Sequence, residues 1–252
     1  MNPQPAREPE GSPAGEGLGP TPPAAARVFG ELLPQAEEFA RLLATSGSER
    51  GLIGPREVPR LWERHVLNCA VAAEEIGSVP RLVDVGSGAG LPGIALALAL
   101  PETQVTLVEP MLRRTVWLTE VVDALELADR VEIVRARAEQ VTGEFEAPVV
   151  TARAVARLEV LAPWCLPLVE LGGRMVALKG ESAQQEVDET APVLPRLGVT
   201  ATRVVDCGQE VLETPTRVVV LERGAEPQSP KAGRPGRNRR SKSPRRRGKE
   251  TR

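Results

Sequence analysis

The stretch LVDVGSGAGLPGIALAL, residues 82–98, passes from an apolar run through a burst of glycines into a second apolar run. Its spacing satisfies two fingerprints at once. Gly88, Gly90 and Gly93 fit G-x-G-x-x-G, a dinucleotide pattern. Asp84, Gly86, Gly88 and Gly90 fit the overlapping D-x-G-x-G-x-G. Both place a ligand at the carboxyl end of a strand, where glycines let the backbone approach closely. The helix that follows offers free N–H groups and a partial positive charge. Glu109, nineteen residues after Gly90, ends the next apolar run. An acid there can accept both ribose hydroxyl hydrogens of an adenosine, in either cofactor. Asp84 discriminates. A carboxylate so close to the turn can meet an ammonium group, which S-adenosylmethionine carries and a nicotinamide pyrophosphate lacks.

Other candidates are cations. Arg113 and Arg114 open the helix after Glu109. Cations near a helix N-terminus oppose its dipole, a mild cost that points to use on phosphates or to a solvated face. Lys179 is the only lysine before residue 231 and ends an apolar run at the ligand edge, where it meets a substrate phosphate or solvent. His65 is the single histidine, in WERHVLN. Cys69, Cys165 and Cys207 are odd in number and far apart, which fits neither a zinc site nor a disulfide framework. The expectation is a reduced, cytoplasmic protein with no metal.

These residues need a scaffold. RLVDVG, QVTLVE, RVEIVRA, a part of APVVTARAV and a part of GGRMVALKG read as strands separated by helices. That alternation predicts an α/β fold with a Rossmann-like, mostly parallel sheet. VTATRVVD and TRVVVLE, separated by a short gap around Gly208, predict an antiparallel edge hairpin, an unusual detail for a dehydrogenase. LPGIALALALP is expected to be helical with Pro92 in its first turn. Two helical stretches precede the sheet, AARVFGELLPQAEEFARLLATSG, split or kinked at Pro34, and residues 58–77.

Residues 1–23 are rich in Pro, Gly and Glu, and residues 224–252 in Arg, Lys, Pro and Ser; both are expected to be disordered, leaving 24–223 as the folded body. From Ser229 to Arg252 there are eleven Lys or Arg against one acid, a charge of +10, so the remainder carries −12 within the total of −2. Such a tail binds nucleic acid through counterion release. The chain has no Tyr and only three Phe and three Trp, which argues against a module that stacks single-stranded bases on aromatic platforms. No apolar run reaches the ~18 residues of a membrane span, and MNPQPAREPEGSP is no secretory signal.

Five segments in order, LWERHVLNC at 61–69, LVDVGSGAGLPGIALAL at 82–98, RARAEQV at 135–141, TARAVARLEVLAPWC at 151–165 and GGRMVALKG at 172–180, resemble the RsmG (GidB) family of 16S rRNA guanine-N7 methyltransferases. The resemblance implies a class I S-adenosylmethionine-dependent methyltransferase fold with N-terminal helices. It implies methyl transfer to guanine N7 in the decoding-region loop of 16S rRNA, with the rRNA or the small ribosomal subunit as partner. Carried over by position, Gly86 and Leu91 contact the cofactor, Ala138 and Glu139 border the adenine, and Arg153 stands at the mouth of the active site. It also puts His65 on the substrate side. Asn68 and Cys69 stand where many members have Asp-Ser. Guanine N7 has a free lone pair and no proton, so the reaction needs positioning and no general base. Arg153 would donate to O6 or to a phosphate. Three other readings remain open: a methyltransferase acting on a small molecule, an NAD-dependent oxidoreductase, and a non-enzymatic rRNA-binding assembly factor.

Overall fold

The computed structural model of the chain describes residues 17–224 and residue 227. Most of both segments expected to be disordered lies outside them. The exception is the end of the first segment. Leu18 packs against the core and Thr21 Oγ1 donates to Glu37 Oε1 at 2.8 Å, so order begins before residue 24.

Seven strands form one sheet: β1 (Arg81–Val85), β2 (Gln104–Val108), β3 (Val131–Val134), β4 (Ala147–Arg153), β5 (Val169–Lys179), β6 (Val199–Cys207) and β7 (Thr216–Arg223). Their order is β3-β2-β1-β4-β5-β7-β6. The first five are parallel, and β7 runs antiparallel to both β5 and β6 between which it lies. The expected edge hairpin is therefore present, with its second strand inside the sheet.

Helices cover both faces: α1 (Pro23–Phe29), α2 (Leu33–Leu42), α3 (Leu67–Ala70), α4 (Ala73–Ile76), α5 (Gly93–Ala99), α6 (Leu112–Ala124), α7 (Leu158–Cys165) and α8 (Ala183–Thr190). Side chains alternate across a strand, so β1 sends Leu82 to one core and Val83 and Val85 to the other. The first core joins α5 and α6 to the N-terminal helices, and the second lies under α7 and α8. Residues Gly93 to Leu98 of α5 are all buried, which accounts for a helix with no polar face.

Three local expectations are corrected. The first helical stretch breaks at Gly30, whose φ is +53°, and Pro34 sits harmlessly in the first turn of α2. Residues 58–77 are a chain of short 3-10, π-type and α turns, with Pro59 inside the opening 3-10 segment. Helix α5 begins at Gly93, after the cis Leu91–Pro92 bond, so Pro92 precedes the helix. Among the described residues, no helix is long and apolar enough to cross a membrane.

Candidate functional site: two cavities that share Arg153

The parallel strands aim their carboxyl ends at one edge, and the glycine turn lies there. Gly86 has φ +75°, and a Cβ on it would stand 2.7 Å from Val155 Cγ2. Only glycine meets both demands. The turn is tied from several sides. Gly86 N–H donates to Val108 O at 2.8 Å, Gly90 N–H to Ser87 O at 2.7 Å, and the Trp117 indole N–H to Ala89 O at 3.1 Å.

Glu109 is 1% exposed. Its Oε2 accepts the Gly88 N–H at 3.0 Å and its Oε1 the Met111 N–H at 2.9 Å. Arg114 Nη1 stands 3.6 Å from Oε2. Each carboxylate oxygen keeps acceptor capacity beyond these bonds. The carboxylate, the turn, Leu91 and Arg114 line a cavity of about 530 Å³. Leu52, Ile53 and His65 of the N-terminal extension form another wall, and Arg153, Ala154 and Val155 after β4 a third.

A second cavity, of about 810 Å³, opens beside the first. It is lined by Glu57, Arg60, Arg64, His65 and Asn68 on one side and by Lys179, Asp206 and residues 212–217 on the other. His65 and Arg153 line both cavities. The Arg153 guanidinium is held from the N-terminal extension. Its Nη1 donates to Cys69 Sγ at 2.8 Å, and its Nη2 to Arg64 O at 2.9 Å and to His65 Nδ1 at 3.1 Å. His65 Nε2 lies 3.1 Å from Glu57 Oε2. With Nδ1 accepting from an arginine, the ring carries its proton on Nε2 and donates it to Glu57. Burial and the neighbouring Arg153 hold the His65 pKa below its usual value, against the pull of Glu57.

Several expected site residues stand elsewhere. Asp84 is fully buried; its Oδ2 accepts the Gly93 N–H at 3.0 Å, and its Oδ1 has no hydrogen-bond partner. It therefore ties the turn to the start of α5 and lines neither cavity. Gly90 lies behind the turn, where a Cβ would meet Ile94 and Phe39. Ala138 is buried and Glu139 exposed on a 3-10 turn after β3, and neither lines the first cavity. Arg113 points to solvent, and Arg114 alone of that pair reaches the cavity. Lys179, expected at a substrate phosphate or in solvent, does line the second cavity but is largely buried; its Nζ donates to Ala156 O at 2.7 Å and pairs with Glu186 Oε2 at 2.8 Å. Glu186 also accepts the Leu158 N–H, so the pair clamps the loop that follows Arg153. The sequence reading missed Leu52, Ile53, Glu57 and Cys69. Only Cys69 left a trace, four residues after His65 on one helical face.

The strand order, the glycine turn at the end of β1 and the acid at the end of β2 define a class I S-adenosylmethionine-dependent methyltransferase. Among solved structures, the S-adenosylmethionine-dependent methyltransferase SibL in its apo form superposes with a TM-score of 0.55 at 18% identity, covering 81% of this chain and 70% of that one. The family described as rRNA small subunit methyltransferase G matches residues 32–215. Relatives carrying the name ribosomal RNA small subunit methyltransferase G include one from Paenarthrobacter aurescens, 55% identical over 78% of this chain and 90% of its own length. Another, from Mycolicibacterium paratuberculosis, is 50% identical over 92% of this chain and 93% of its own length. The chain belongs to this family, and its cofactor is S-adenosylmethionine.

Proposed function

We propose that this chain methylates N7 of a guanine in the decoding-region loop of 16S rRNA, acting in the cytoplasm on the rRNA or the small ribosomal subunit. The observation that carries this reading is the place of Arg153, on the wall common to the two cavities. The smaller cavity fits the cofactor. Glu109 has acceptor capacity left for ribose hydroxyls, and the glycine turn presents bare backbone. Gly86, Gly88 and Leu91 line the cofactor side of the cavity, while Ala138 and Glu139 are assigned to the adenine border on family position alone.

Bound S-adenosylmethionine supplies a methyl group activated by its sulfonium. The larger cavity receives the target base. Guanine N7 needs no proton removed, so the residues between the cavities serve to orient and to exclude water. The Arg153 guanidinium keeps Nε–H and one Nη1–H beyond its three protein bonds, donors suited to a guanine O6 or a phosphate. Arg60, exposed on the rim of the larger cavity, is the cation we assign to an RNA phosphate.

The test maps N7-methylguanine in small-subunit rRNA by borohydride reduction and aniline cleavage, read by primer extension. A cleavage present with the gene, absent without it and restored by purified protein plus S-adenosylmethionine is the expected result. Arg153→Ala should fail to restore it. An unchanged cleavage pattern would refute the guanine-N7 reading, and full restoration by Arg153→Ala would refute the role given to that residue.

A further inference from the structure

We propose that Glu57 and His65 are positioning residues for Arg153: they form a hydrogen-bonded chain that fixes the guanidinium on the wall between the two cavities. This rests on the reading above, in which Arg153 touches the substrate.

The chain runs Glu57 Oε2, His65 Nε2–H, His65 Nδ1 and Arg153 Nη2–H, with steps of 3.1 Å and 3.1 Å. Both ring nitrogens are thus engaged by protein groups, which leaves His65 no polar atom for the RNA. Arg153 comes from the end of β4, and His65 from the π-type turn Trp62–Val66 before the sheet. The bond therefore joins the cofactor-binding core to the extension that closes the cofactor cavity through Leu52 and Ile53. Arg64 O and Cys69 Sγ hold the same guanidinium from the same extension. An arginine side chain has many rotamers, and fixing one of them is worth much of the orientation that the reaction needs.

The chain has a built-in proton dependence. Nδ1 accepts from Arg153 only while the ring is neutral. A second proton would remove that acceptor and set a cation against the guanidinium. The charged groups around His65 are Glu57, Arg153 and its own neighbour Arg64. Burial, Arg153 and Arg64 disfavour the second proton, while Glu57 favours it. The chain is therefore intact at neutral pH and opens as pH falls through the lowered His65 pKa.

The test measures transfer of tritiated methyl from S-adenosylmethionine to small-subunit rRNA from cells lacking the protein, as kcat and KM across pH. In wild type, kcat should fall on the acid side. His65→Asn places an amide oxygen close to the Nδ1 position, so it should keep most activity and lose the acid limb. His65→Leu offers neither an acceptor to Arg153 nor a donor to Glu57, so kcat should drop about ten- to a hundredfold with the KM for S-adenosylmethionine little changed. Glu57→Gln removes the charge that favours the second proton, so its acid limb should move to lower pH. Equal loss in both His65 variants, or an acid limb that survives in His65→Asn, would overturn the chain while leaving Arg153 in place. Full activity in Arg153→Ala would overturn the site reading itself. Tm and S-adenosylmethionine affinity of each variant separate these results from misfolding, and the half-exposed Glu57 gives a variant whose folding is least at risk.

Discussion

Asp84 shows how one side chain serves two ends of the turn. Burial, with the nearby Glu109 charge, pushes its carboxyl up to about 7, against Ser87 and the Gly93 N–H, which favour the charge. The folded state therefore binds the proton more tightly than the unfolded chain does. Stability is highest below the unfolded value near 3.8 and is lost as pH rises toward about 7. At about 1.4 kcal/mol per pH unit, the upper bound on that loss is about 4 kcal/mol. Urea denaturation at pH 5 and pH 8 should show wild type weakening relative to Asp84→Asn over this interval. A constant difference between the two proteins across the range would mean that Asp84 does not titrate there. The sequence carries Glu109 plainly, because it holds a fixed offset from the glycine turn at a strand end; it marks Asp84 too, but not that its carboxylate turns inward onto Gly93 N–H. It does not carry the partners of Arg153, which lie 84 to 89 residues away along the chain. Lys179 misled for a related reason: a lone cation at a strand end looks free until Glu186 folds back onto it from α8.

At the scale of elements, the turn and α5 work as one unit because α5 is packed down on β1 and β2. A Cβ on Gly93 would stand 2.3 Å from Leu107 Cδ2 and 2.6 Å from Asp84 Oδ2. Gly93→Ala must push α5 away from the strands and break the Asp84 bond. The expected cost is about 1–3 kcal/mol of stability, typical of overpacking, with weaker S-adenosylmethionine binding. Denaturant midpoints and titration calorimetry check the two effects, and an unchanged midpoint would show that the helix adjusts freely. The βα alternation was legible from periodicity alone. The breaks were not, because proline and glycine act through their position: Pro34 is tolerated in a first turn, whereas Gly30 takes a positive φ and ends α1. Cavity walls were equally hidden, since Leu52 and Ile53 sit in a loop with no period to mark them.

For the whole molecule, charge is divided along the sequence. The tail from Ser229 carries +10 and the rest −12. A protein lacking residues 229–252 should bind rRNA more weakly, with a shallower dependence of log affinity on log salt, and bind S-adenosylmethionine as before. Filter binding across a salt series measures the slope. An unaltered slope would assign the RNA contacts to the folded body.

The place of β7 governs when this fold can exist at all. It pairs with β5 over Arg174 to Lys179 and with β6 over Val199 to Cys207, so it joins the two as the penultimate strand. Before Thr216–Arg223 emerge from synthesis, β5 is an open edge and β6 has no neighbour. The candidate site stands on the earlier strands, yet Lys179 and the loop it clamps end on that open edge. The last strand among the described residues is thus a keystone: the sheet edge beneath the candidate site waits for it, and a nascent chain that stalls before it presents a sticky border to its neighbours.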